Sequence, residues 1–270
     1  MDWTGKRVWI TGASSGIGAG LARAFGRAGA TVILSGRNRA ALADVAADVP
    51  SNVILPFEAT DHAALPAIVH HAGAIDCLVN NAGISQRSLA EDTDFAVYRT
   101  IMEVDFFAPV HLTKLVLPQM LARGSGHLAV VASVAGKVGS PQRTGYCAAK
   151  HAVMGFFDAL RTEVSHRGVQ VTTIVPGFVR TEIGARALTA DGTVKGAGAD
   201  DVDAGISADE AAAIILDGMG RGLREIPVGG GGPEMALLDL KRQDPDRLFD
   251  LMGGMGEAVV RKLKGAPASG

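Results

Sequence analysis

The chain has 270 residues, 47% hydrophobic and 20% charged, with a formal net charge of −2. That is enough for one sizeable core, short for two independent domains, and outside the disordered range. The near-neutral balance gives no electrostatic ground for a nucleic-acid partner, and 2 cysteines are too few for a disulfide framework.

Met1-Asp2-Trp3-Thr4-Gly5-Lys6 runs straight into an apolar segment, with no room for a signal peptide, and no apolar run reaches membrane-spanning length. The expectation is a cytoplasmic protein. Strands are predicted over 7–11, 31–35, 52–57, 75–80, 127–132, 169–175 and 224–228. Helices are predicted over 17–28, 38–48, 61–73, 95–122, 145–167 and 207–222. This alternation argues for an α/β fold: a doubly wound parallel sheet, Rossmann-like, of about seven strands with helices on both faces.

Residues 1–230 read as the single dinucleotide-binding and catalytic domain, and two stretches escape its pattern. Residues 183–206, rich in Gly, Ala, Asp and Thr, lack a period and are expected to form a substrate lid. Residues 231–270 form a C-terminal extension that follows the opening run Gly229-Gly230-Gly231-Gly232-Pro233. Met235, Leu237, Leu238, Leu240, Leu248, Leu251 and Met252 suggest two amphipathic pieces broken near Asp244-Pro245. The end, Arg261-Lys262-Leu263-Lys264, is basic and then fades into a frayed tail.

Two motifs carry chemistry. The first is Val8-Trp9-Ile10, then Thr11-Gly12-Ala13-Ser14-Ser15-Gly16-Ile17-Gly18, then Leu21, Ala22, Phe25, Ala28 and Ala30 at helical spacing. Strand, glycine turn and helix together make a phosphate-binding loop, or else a plain connection. Gly12 permits the tight turn, Gly16 lets the backbone approach a pyrophosphate, and Gly18 allows close packing. The helix N-terminus offers unpaired N–H groups and partial positive charge.

The second motif is Ser133, thirteen positions before Tyr146, with Lys150 four residues after the tyrosine. On a helix, Tyr146 and Lys150 share a face. A phenol is a poor acid at neutral pH, and a fixed cation beside it favours the phenolate. Ser133 would add a hydroxyl at the same reacting oxygen. The bland alternative is a buried Tyr, a surface Lys and an unrelated Ser.

With Asn80-Asn81-Ala82-Gly83 and Pro176-Gly177 followed by Thr181, these motifs stand in one order over roughly residues 5–230, and the chain resembles the short-chain dehydrogenase/reductases. Ser85-Gln86-Arg87-Ser88-Leu89 and Gly145 to Ala152 look closest to the branch acting on steroid, retinoid and other lipid-like carbonyls. The resemblance implies reversible hydride transfer between NADP(H) and a carbonyl/alcohol pair. Ser133 would hold the carbonyl oxygen, Tyr146 donate the proton, and Lys150 serve both the tyrosine and the nicotinamide ribose.

The cofactor set it implies begins with Gly12, Ser14, Ser15, Gly16, Ile17 and Gly18. Gly36 stands where NAD-binding members carry aspartate, and Arg37 follows, so a 2′-phosphate is expected, with Ser35 and Asn38 as helpers. Glu58, with Ala59, fills a position usually held by aspartate facing the adenine. Asn80, Ala82 and Gly83 should line the adenine-ribose side, and Pro176, Gly177, Val179 and Thr181 the nicotinamide and phosphates.

The family's fourth catalytic residue, an asparagine, is Asp105 here. Either it is protonated in a buried site, or its charge strengthens attraction to Lys150. A homodimer or homotetramer acting on a small-molecule substrate is implied, and Phe156, Phe157 and Leu160 are candidates for an intersubunit face. The alternatives are a 3-oxoacyl-carrier-protein reductase, and a non-catalytic NADP(H)-binding sensor, which would be expected to lose the tyrosine or lysine. Seven histidines occur, none with a partner at metal-site spacing, so no metal is expected. Cys77 and Cys147 read as packed free thiols of a reducing compartment.

Overall fold

The computed structural model describes residues 1–265; the frayed tail expected beyond them lies outside the described residues. Its strands are β1 (Arg7–Thr11), β2 (Thr31–Ser35), β3 (Asn52–Ile54), β4 (Cys77–Asn80), β5 (Gly126–Val131), β6 (Val169–Pro176) and β7 (Glu225–Val228). All pair in parallel, in the order β3-β2-β1-β4-β5-β6-β7. Parallel strands covered on both faces read as unbroken apolar runs, and Val8-Trp9-Ile10 and Val32-Ile33-Leu34 are fully buried. The strand order reverses between β1 and β4, which opens a crevice at their C-terminal ends.

Helices cover both faces. One layer is α1 (Gly16–Arg27), α2 (Arg39–Ala46) and α7 (Ala208–Gly220), whose Leu21, Phe25, Leu42 and Ile215 share a core with β1 and β2. The other is α3 (Leu65–Ala72), α5 (Ala108–Arg123) and α6 (Thr144–Val164). Phe157 and Leu160 belong to this second core and are buried, which corrects the intersubunit reading for both. Helical spacing puts them on the inward face of α6. His70 and His71 are exposed on α3, and no group among the described residues is arranged to hold a metal. Cys77 and Cys147 are buried free thiols, pushed up in pKa by burial.

Two expected elements differ. β3 stops at Ile54, although Leu55 and Phe57 still donate to Leu34 and Gly36. Pro56 has no amide hydrogen, so regular pairing ends there. The long helix over 95–122 is instead α4 (Phe95–Met102), a π-helical turn (Glu103–Phe107) and α5. Pro109 cannot donate to the Asp105 carbonyl four residues back, so the helix changes register there.

Residues 183–206 lack regular structure apart from a 3-10 turn (Asp201–Ala204), yet they are tied down. Leu188 donates to the Ser85 carbonyl at 2.8 Å and accepts from Arg87 at 2.9 Å. The Arg87 guanidinium holds both Asp200 oxygens, at 3.0 and 2.7 Å. Burial raises the Asp200 carboxyl, but Arg87 outweighs it and holds the group below its usual range. The C-terminal extension forms α8 (Pro233–Gln243) and α9 (Pro245–Lys264), and the break falls at Asp244, which caps α9 through the Arg247 N–H at 3.0 Å.

Candidate active site

The glycine loop joins β1 to α1 at the crevice. Gly12 and Gly16 have φ of +65° and +54°, a region L side chains avoid. A Cβ on Gly12 would stand 2.9 Å from the Ala82 backbone, and one on Gly16 2.9 Å from the Thr181 methyl. Gly18 has no room for a Cβ against the Gly12 carbonyl. At Ser15, the N-cap of α1, no side chain caps the helix and no acid occupies its first turn. This cradle of bare amides, closed to side chains, fits a dinucleotide pyrophosphate. Ser14, Ser15 and Ile17 lie in the same turn.

Asn81 braces the loop. Its backbone N–H and that of Ala82 both donate to the Thr11 hydroxyl at 3.0 Å, while its amide donates to the Thr11 and Gly12 carbonyls at 3.0 and 3.2 Å. The sequence signal for it is a two-donor amide inside the Asn80 to Gly83 motif. Asn80 itself is buried, and its amide donates to the Thr113 hydroxyl, which ties β4 to α5. Ala59, Asn80 and Ala82 border one small pocket with Thr11. Gly83 closes the same motif. A Cβ there would lie 3.3 Å from Lys150 Nζ, which puts it against the catalytic cluster.

At the end of β2, Arg37 is largely solvent-exposed and stands 3.7 Å from Glu58, whose carboxylate also accepts from the Thr60 N–H and hydroxyl. Asn38 caps α2 through the Ala41 N–H at 3.1 Å. Ser35 is not available as a helper. It is buried, accepting from the Trp9 indole at 2.8 Å and donating to the Leu55 carbonyl at 2.6 Å.

Ser133 follows β5, accepts from the Ala135 N–H at 3.1 Å and donates toward the Pro176 carbonyl at 3.5 Å. Tyr146 and Lys150 are both buried on the inner face of α6, with the ammonium 5.5 Å from the phenol ring centroid. Lys150 also donates to the Val131 carbonyl at 3.1 Å and faces Asp105 Oδ2 at 3.2 Å. Asp105 Oδ1 accepts from the Ile84 N–H at 2.8 Å.

Burial pulls the Lys150 ammonium down, yet attraction to Asp105 and Tyr146 outweighs it, and the group sits above its ordinary value. Burial raises the Asp105 carboxyl against the opposing pull of Lys150 and the Ile84 N–H. Gln86, fully buried, accepts from the Gly145 N–H at 2.7 Å and so anchors the start of α6 one residue before Tyr146.

Beyond β6, the Gly177 N–H donates to Val228, and Val179 is buried and pairs with Ile206. Thr181 lies over Gly16, so this segment crosses to the glycine loop.

A bare-amide cradle at a sheet switch point, beside a buried Tyr–Lys pair, defines a Rossmann-type nucleotide-binding oxidoreductase. The chain matches the short chain dehydrogenase family over residues 6–191 and belongs to it. It is 36% identical over 257 residues to dehydrogenase/reductase SDR family member 7B of Mus musculus, covering 91% of this chain and 79% of that one. A short chain dehydrogenase from Burkholderia cenocepacia J2315, solved with NADP, superposes with a TM-score of 0.79 at 24% identity, covering 93% of this chain and 99% of that one. A short chain dehydrogenase/reductase from Burkholderia phymatum, solved with NAD, gives 0.80 at 22% identity, covering 91% and 96%. These two likenesses are of fold. No helix among the described residues is long and apolar enough to cross a membrane.

Proposed function

We propose that this protein is an NADP(H)-dependent oxidoreductase that interconverts a carbonyl and a secondary or primary alcohol, with Tyr146 as general acid/base. The carrying observation is the buried Lys150 ammonium, held by Asp105 and the Val131 carbonyl beside the Tyr146 ring. When bound, the nicotinamide supplies or accepts the hydride. Ser133 orients the carbonyl oxygen, and Tyr146 gives it the phenolic proton. Lys150 stabilises the phenoxide left behind, in a site with little water to screen it. Gly12 to Gly18 and Thr181 hold the phosphates, and Arg37 the 2′-phosphate.

The substrate favoured is bulky and apolar. A cavity of about 310 Å³ lies between Val138–Pro141, on the loop joining Ser133 to Tyr146, and Leu248, Phe249, Met252 and Gly253 of α9. That volume reaches the range of small-molecule pockets. The lining residues of this cavity include none from 183–206, so the apolar wall comes from α9. Residues 183–206 remain as a lid over the neighbouring loop at Ser85–Arg87. The active assembly proposed is a homodimer or homotetramer.

A panel of carbonyls with NADPH, read at the nicotinamide absorbance, tests the reading. Tyr146→Phe should abolish turnover while leaving NADPH binding within about twofold. Substantial turnover by that variant would remove Tyr146 from the acid/base role.

A further inference from the structure

The glycine run that opens the C-terminal extension encloses a buried carboxylate. Glu234, on the first turn of α8, is 7% exposed. Its Oε1 accepts the Phe178 N–H at 3.0 Å, and its Oε2 has no hydrogen-bond partner among the described residues. A Cβ on Gly177 would stand 2.5 Å from Oε1, and one on Gly232 would collide with Oε2. Glycines on both sides therefore make the space for this one side chain.

We infer that Glu234 is a positioning residue for the nicotinamide half of the dinucleotide, making α8 a part of the cofactor site. This rests on the proposal that Pro176 to Thr181 receives that half. The backbone of Phe178 is held at both ends: its N–H by Glu234 and its carbonyl by the Ile206 N–H at 3.2 Å. The peptide bond before Phe178 is trans. An N–H turned toward Glu234 therefore directs the Gly177 carbonyl away from α8 and fixes the turn that leads into Val179. Removing the carboxylate takes the acceptor from the Phe178 N–H and leaves the turn held at its carbonyl end alone. The adenosine half, bound across β1 and β2, makes no use of this contact.

The test measures binding by calorimetry with two probes: NADPH, and 2′,5′-ADP, which lacks the nicotinamide. Glu234→Ala should weaken NADPH at least tenfold and leave 2′,5′-ADP within twofold. Glu234→Gln keeps an acceptor for the Phe178 N–H and should restore most of the NADPH affinity. Gly232→Ala gives a second route should Glu234→Ala fail to fold: Gly232 has φ −60°, which alanine adopts, and the added methyl displaces the carboxylate. It should show the same split between probes. Unchanged NADPH binding, or equal loss of both probes, overturns the inference. Wild-type protein that binds NADPH no more tightly than 2′,5′-ADP overturns the nicotinamide-site reading instead, and this inference with it.

Discussion

Lys150 and Asp105 face each other at 3.2 Å in a pocket closed to solvent, and the carboxylate holds the lysine above its ordinary pKa. Asp105→Asn is nearly isosteric and keeps the acceptor for the Ile84 N–H, but removes the charge. Burial then dominates, and Lys150 gives up its proton at lower pH. The alkaline limb of kcat/KM should therefore move toward lower pH, with activity at neutral pH kept or raised. Asp105→Ala leaves a buried ammonium unpaired and should cost about 3–5 kcal/mol of stability by urea unfolding. An unmoved pH profile for the asparagine variant would show that the Asp105 charge does not act on the titrating pair.

The strands were legible because each is a short apolar run between turn residues. The crevice motifs were legible because glycine and the Tyr–Lys spacing are local signals. The π turn at Glu103–Phe107 is invisible to apolar spacing, although Pro109 carries its cause. Residues 183–206 showed no period because their order comes from distant partners, above all Arg87 with Asp200, 113 residues apart in sequence. The Asn80 to Gly83 motif gives positions but not directions: that the Asn80 amide meets Thr113 and Gly83 meets Lys150 depends on where α5 and α6 pack. Glu234 gave no signal at all. Its role depends on β6 and α8 meeting in space.

Cofactor choice should follow Arg37. It is exposed and stands 3.7 Å from Glu58, and Gly36 offers no carboxylate to repel a phosphate. NADPH should bind at least tenfold more tightly than NADH, about 1.4 kcal/mol. Arg37→Ala should erase most of that difference without changing NADH affinity. Fluorescence titration of both cofactors decides it, and equal or tighter NADH binding by the wild type refutes it.

Acid should destabilise the fold through His127. Burial depresses its pKa to about 4, against about 6.5 unfolded. Thr172 gives its hydroxyl hydrogen to the Leu223 carbonyl, so His127 Nε2 is the donor to Thr172 at 2.8 Å and Nδ1 has no partner among the described residues. Between those two values the unfolded chain binds a proton that the folded one refuses. Stability is thus fully present above the unfolded pKa and falls as pH drops toward the folded one, by about 3 kcal/mol in all. Urea midpoints from pH 7 to pH 4.5 should decline less steeply for His127→Leu than for wild type. Parallel curves would assign the acid sensitivity to other groups.

Substrate size should be set by the cavity between the Ser133–Tyr146 loop and α9. Cutting the chain at Gly232 would not test this cleanly, because Leu248 is buried and Met235, Leu237, Leu238 and Leu240 pack on the same core. Filling the cavity leaves that core intact. Gly139 has open space where a Cβ would stand and no positive φ, and Met252 lines the opposite wall. Gly139→Leu and Met252→Trp should each reduce the available volume without touching Ser133, Tyr146 or Lys150. For a long-chain or polycyclic carbonyl that loses two buried methylenes, at about 0.8 kcal/mol each, kcat/KM should fall by about tenfold or more. Small carbonyls should react at the wild-type rate, and NADPH binding should not change. Unchanged rates with the large substrates would mean that the cavity lies outside the substrate path, and that α9 serves the core alone.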